Sequence, residues 1–138
     1  MTPEEYLKQV AKLRKKVDSK RSERQAIEET VLGATSWEDN PSFSNQFHST
    51  TENAAMKLLE HNSQVNEQVD ELVDLQIKIA NEIDQLEDSR YRMILRGYYI
   101  AEKKFEVLAV DLGYDYRHII RLHKEALCAF GLKHKDVL

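Results

Sequence analysis

At 138 residues the chain has room for one ordinary domain or two small helical units, and 32% charged side chains with a mean hydropathy of -0.61 exclude a greasy, membrane-embedded class. No apolar run approaches the roughly 18–20 residues that span a bilayer, so a membrane is not an expected partner. Cys128 stands alone and cannot form an intrachain disulfide, and "MTPEEYLKQV" lacks the basic and apolar regions of a secretory signal. A reducing, cytoplasmic location is the expectation.

Four glycines, two prolines and many Glu, Lys, Leu and Ala predict an all-α protein. The net charge of -4 conceals a split: residues 1–32 carry 8 basic and 6 acidic side chains, residues 33–89 carry 2 and 12, and residues 90–138 carry 10 and 6. A polyanion would be repelled by the middle and tolerated by the ends, so the acidic total does not exclude nucleic acid as a partner.

The first predicted helix opens with Thr2 as N-cap, Pro3 in the first helical position and Glu5 completing a capping box. Tyr6, Val10, Leu13, Val17, Ile27 and Val31 recur at helical spacing, and Gly33 is a stop signal. Within it "KLRKKVDSKRSER", residues 12–24, holds seven basic and two acidic side chains. These can pair with the acidic second helix or touch DNA beside a binding site. Residues 34–53, rich in Ser, Thr and Asn and containing Pro41, read as a connector in which Trp37, Phe43 and Phe47 anchor onto neighbouring helices.

A second helix is expected from Ser49, where Ser49 and Glu52 form another capping box. Leu58, Val65, Leu72, Ile79 and Leu86 repeat every seven residues, and Asn62, Val69, Gln76 and Ile83 fill the complementary seam position. That is a coiled-coil seam, and the first helix is too short to cover all of it. An internal hairpin is expected together with self-association, as a homodimer or higher, through Leu58, Val65, Val69, Leu72, Ile79, Ile83 and Leu86. Asp88 or Ser89 can cap a further helix, which places a domain boundary near 88: residues 1–88 as a helical hairpin and oligomerisation region, residues 89–138 as a second domain.

"FEVLAVDLGYDYRHIIRLHKEAL", residues 105–127, reads as helix with a glycine in its middle. Leu108, Ala109 and Leu112 form the inner face of a short helix, Gly113 permits a positive φ, and Asp115 caps the next helix. A small residue at Ala109, Gly113 four positions later and Ile119 six after that match the spacing of a helix-turn-helix, whose second helix enters the DNA major groove. At about 100° per residue, Ile119, Leu122, Ala126 and Phe130 share one side of that helix. Arg117, Arg121, Lys124 and Cys128 share the opposite side, a basic stripe suited to phosphates and guanine edges. Tyr116 and Ile120, read as exposed, flank the stripe.

The stretch "RYRMILRGYYIAEKKFEVLAVDLGYDYRHIIRLHKEAL" resembles region 4 of bacterial sigma factors. The agreement in residue type falls on Ile94, Leu95, Tyr98, Leu108, Ala109, Leu112, Gly113, Ile119, Leu122, Ala126 and Leu127, within about residues 90–130. No sigma region 2 accompanies it. The layout is similar to small Gram-positive phage and prophage proteins that join an N-terminal helical segment to a sigma-region-4-like domain, the RinA- and ArpU-type late-transcription regulators. The resemblance implies binding to double-stranded DNA near late-gene promoters, contact with host RNA polymerase and a bacterial host cytoplasm. The family's base readers correspond here to His118, Ile120 and Arg121, and Asp115 stands where sigma factors usually place serine, so the preferred sequence should differ from a standard promoter element.

Catalytic chemistry finds no pattern. His48, His61, His118, His123 and His134 are scattered, and there is no phosphate-binding or dinucleotide-binding glycine motif. The expectation is therefore a non-enzymatic regulator with no cofactor and no metal. Two other readings fit the same helices: a DNA-packaging protein of the small-terminase type, and an adaptor that uses the sigma-like domain to bind protein alone.

Overall fold

The computed structural model describes residues 1–34 and 41–138, and every regular element among them is helical. In chain order these are α1 (Pro3–Leu7), α2 (Gln9–Ala34), α3 (Pro41–Asp84), α4 (Ser89–Leu95), a π-helical turn (Arg96–Ile100), α5 (Phe105–Leu112) and α6 (Tyr116–Lys133). No helix among the described residues is long and apolar enough to cross a membrane.

The first capping box forms as the sequence suggests: Glu5 N–H donates to Thr2 Oγ1 at 3.2 Å and Thr2 N–H to Glu5 Oε2 at 3.1 Å, with Pro3 in the first turn. The second involves the side chain of Ser49, which lies outside the described residues. Helix α3 starts at Pro41, so Ser49 is a helical residue and the connector expected over 34–53 is helix from Pro41 onward. Proline is pre-organised for a first helical position, and no glycine or proline follows it before Asp84. Trp37 lies outside the described residues, as do the side chains of Phe43 and Phe47.

The chain divides into two compact units, residues Met1–Arg14 with Leu72–Leu138, and residues Lys15–Glu71. The expected boundary at 88 is a break in the helix but not between units. Asp88 does cap α4, accepting from Arg90 N–H at 2.9 Å, and the same Arg90 holds the Asp88 carboxyl below its usual range. Yet the end of α3 and all of α1 belong with α4, α5 and α6. Their shared core contains Tyr6, Leu7 and Val10, then Ile79, Ile83 and Leu86, then Leu95, Tyr99, Ala126 and Phe130. Burying these faces against one another removes more apolar surface from water than a cut at 88 would allow.

That core contains one buried acid. Glu82, 8% exposed, accepts a 2.6 Å hydrogen bond from the Tyr6 hydroxyl, while its own backbone carbonyl accepts one of 2.7 Å from His134 Nε2. Burial first, and the Glu82 carboxylate second, push the Tyr6 phenol above its ordinary value, so it stays a donor. Gly131 on α6 faces Pro3 of α1, where a β-carbon would sit 2.9 Å from the proline Cγ, so glycine there permits the close approach of the two helices.

In the unit Lys15–Glu71, Val17 and Val65 are the buried apolar side chains among the described residues. There His61 Nε2 donates to the Lys20 carbonyl at 2.9 Å and lies 3.8 Å from Glu23 Oε2.

The seam residues are consequently not a free surface. Ile79, Ile83 and Leu86 are covered by α1 and α6 within the same chain, and Leu72 packs at the edge of that core. Val65 is buried too, while Leu58 and Val69 are half-buried. Ile79, Ile83 and Leu86 are thus covered within one chain, and self-association through the whole set stays an expectation of the sequence. Seven-residue periodicity shows that a helix face is covered, not which element covers it. The acidic flanks of α3 carry exposed Glu67, Asp70, Glu71 and Asp74.

Candidate nucleic-acid interface

Helix α5 ends because Gly113 takes a left-handed conformation, φ 71° and ψ 31°. Two hydrogen bonds close the turn: Tyr114 N–H to the Ala109 carbonyl at 2.9 Å, and Gly113 N–H to the Val110 carbonyl at 3.3 Å. This is the paired-bond pattern of a Schellman motif. A β-carbon at Gly113 would meet nothing within 4 Å, so glycine is needed there for its backbone and not for space. Asp115 then adopts an extended backbone as N-cap of α6, and its carbonyl accepts from Ile119 N–H at 3.0 Å. Its carboxylate accepts no hydrogen bond from the helix, so the expected side-chain cap does not form.

A small core holds α4, α5 and α6 together: Ile94, Leu108, Ala109, Ile119 and Leu122 are buried, with Phe105, Leu112 and Tyr114 packed at the margin. Further along α6, Ala126 and Phe130 enter the larger core. One side of α6 is therefore buried along most of its length. Arg117, Arg121 and Lys124 fall on the other side and are exposed. None of the three has an ion pair or hydrogen bond among the described residues. An unpaired guanidinium can present two parallel N–H donors to a planar acceptor, and an ammonium can approach a phosphate as a point charge. Three other exposed cations in this unit are engaged, Arg90 with Asp88 at 3.0 Å, Arg96 with Asp84 at 2.8 Å and Lys103 with Asp111 at 3.3 Å, whereas Lys104, Lys133 and Lys135 are exposed with no ion pair among the described residues.

The remaining expected contacts divide. Tyr116 is 46% exposed and Cys128 is exposed. Ile120 is half-buried, which corrects its assignment as a fully exposed flank. His118 is also half-buried, its ring against Tyr114 at a centroid distance of 4.9 Å.

Several residues that position α6 were given no such role from the sequence. Tyr98 stacks on Phe105 with ring centroids 4.2 Å apart, and the His123 ring packs edge-on against both. His123 Nε2 and the Tyr99 hydroxyl share a hydrogen bond of 2.7 Å. Burial keeps the His123 imidazole below its ordinary value; Glu4 opposes that shift and Lys8 adds to it. Burial likewise raises the Tyr99 phenol above its ordinary value. Arg14 reaches the end of the π-helical turn and the segment after it, donating to the Ile100 carbonyl at 2.9 Å and to Glu102 Oε1 at 3.0 Å. Glu102 has a positive φ of 55°, so this link fixes a backbone bend that a non-glycine residue seldom adopts. The signal available in the sequence was Gly97, which faces the Leu108 side chain and lets the π-helical turn approach α5. The π-helical turn itself has no periodicity that would betray it.

Compared with models of known protein families, with curated proteins and with solved structures, the chain matches none. Among the described residues no group of three His, Cys, Asp or Glu side chains is placed to hold a metal ion.

Proposed function

We propose that this chain is a non-enzymatic, sequence-specific DNA-binding regulator in which α5, the Gly113 turn and α6 work as a helix-turn-helix. One observation carries the reading: Arg117, Arg121 and Lys124 lie exposed on α6 with no ion pair or hydrogen bond among the described residues, opposite a side that buries Ile119, Leu122, Ala126 and Phe130. A helix anchored on one side and basic on the other is what entry into a major groove requires. The likeness to sigma region 4 extends the proposal to a phage regulator of late genes acting at or near a promoter with host RNA polymerase.

The test is a titration of labelled duplex DNA with the full chain at several salt concentrations. Affinity should fall linearly with salt on logarithmic axes. Replacing Arg117, Arg121 and Lys124 together by alanine removes no buried contact, so thermal unfolding should be unchanged while affinity drops about tenfold or more. A triple variant that binds like the parent removes the reading.

A further inference from the structure

The DNA-facing side of α6 is simpler than its sequence suggests, and that simplicity restricts what it can read. Resting on the helix-turn-helix reading above, we infer that Arg117 and Arg121 are a two-pronged guanine reader, selecting two guanines about one to two base-pair steps apart in the major groove.

Few side chains on this face are free to reach a base edge. His118 leans on Tyr114 and Ile120 is half-buried, so neither matches the freedom of a long exposed side chain. Lys124 is exposed, but a rotating ammonium contacts oxygen without selecting a base. Arg117 and Arg121 are left as the exposed forked donors of the N-terminal half of α6, the half that reaches base edges when such a helix enters the groove.

Donor chemistry then selects the base. A guanidinium donates and cannot accept. Guanine presents two neighbouring acceptors in the major groove, O6 and N7. Adenine pairs an acceptor with a donor, cytosine presents a donor, and thymine offers one acceptor beside a methyl group. Guanine alone satisfies both prongs of the fork.

Geometry selects the spacing. Four residues of α-helix advance about 6 Å and rotate only about 40° past a full turn, so the two arginines point almost the same way. Base pairs stack about 3.4 Å apart, and a helix lying along the groove is inclined to the DNA axis, so that advance corresponds to about one to two steps.

The experiment enriches binding sites from a pool of short duplexes with a randomised centre, using the full chain, and then measures affinity on duplexes altered one base at a time. The enriched site should contain two guanines about one to two steps apart, on either strand. Replacing either by 7-deazaguanine, which lacks N7, should weaken binding by about fivefold or more. In Arg117→Ala the penalty at one guanine should vanish while that at the other persists, and Arg121→Ala should show the reverse. Enriched sites without such a pair, or penalties that persist in both variants, overturn the inference. A chain that binds duplex DNA with no base preference overturns it while leaving DNA binding intact. A chain that binds no duplex even at low salt overturns the helix-turn-helix reading and this inference with it.

Discussion

Residues Met1–Arg14 with Leu72–Leu138 bury Phe130, Leu7, Ile79, Ile83, Ile94, Leu95, Ile119 and Leu122 almost completely, whereas the unit Lys15–Glu71 buries Val17 and Val65 among its described residues. The second unit also encloses two acceptors with no hydrogen-bond partner among the described residues, Asn62 Oδ1 and Gln68 Oε1. Both units draw on the same seven-residue repeat of α3. In one the repeat meets aromatic and branched side chains from α1 and α6. In the other it meets a helix whose sequence is mostly basic and polar. A regular apolar repeat is thus an offer of a face, and its energetic value depends on what is laid against it.

The largest expected effect comes from cutting the first unit at the apparent domain boundary. A fragment of residues 89–138 would expose Ala126 and Phe130, having lost Tyr6, Leu7, Val10, Ile79, Ile83 and Leu86. It should show no cooperative thermal transition by circular dichroism. A fragment that melts cooperatively near the temperature of the intact chain would mean that the small core around Ile94 and Ile119 suffices alone.

Single truncations sharpen the contrast between the units. Phe130→Ala should lower stability to denaturant by about 3–5 kcal/mol, the range for a fully buried aromatic. Val65→Ala should cost about 1 kcal/mol, near the centre of ordinary substitutions. Equal losses would show that Lys15–Glu71 is better packed than its buried residues indicate.

Gly113→Val tests the turn between α5 and α6. Its φ of 71° is costly for a β-branched residue, and the expected loss is about 1–3 kcal/mol, measured by urea unfolding. DNA affinity should fall with it if the angle between α5 and α6 sets the position of Arg117 and Arg121. Val65→Ala should leave that affinity unchanged.

The smallest effect is on acidity. Burial holds the folded-state value of His123 below its unfolded value of 6.5, so the unfolded chain takes up the proton first as pH falls. The stability contributed by neutral His123 is present above 6.5 and declines as pH drops through that value towards the lowered folded one. His123→Phe should flatten the decline between about pH 7 and pH 5.5, followed by urea midpoints. An identical slope in both proteins would place the acid sensitivity on another group.

The all-helical class, the Thr2–Glu5 cap, the start of α4 at Asp88 and the left-handed Gly113 were legible because each depends on a few neighbouring residues. So was the division of α6 into an apolar and a basic side, since helical periodicity alone separates Ile119 and Leu122 from Arg117 and Arg121. Tertiary structure decided the rest. It covered Ile79, Ile83 and Leu86 from within the chain, joined α1 to residues more than seventy positions away through Tyr6 and Glu82, and drew Ile120 and His118 partly out of solvent. These outcomes depend on which surfaces meet in space. Burial rewards any apolar face that finds a partner, and a one-dimensional pattern carries the face without the partner's address.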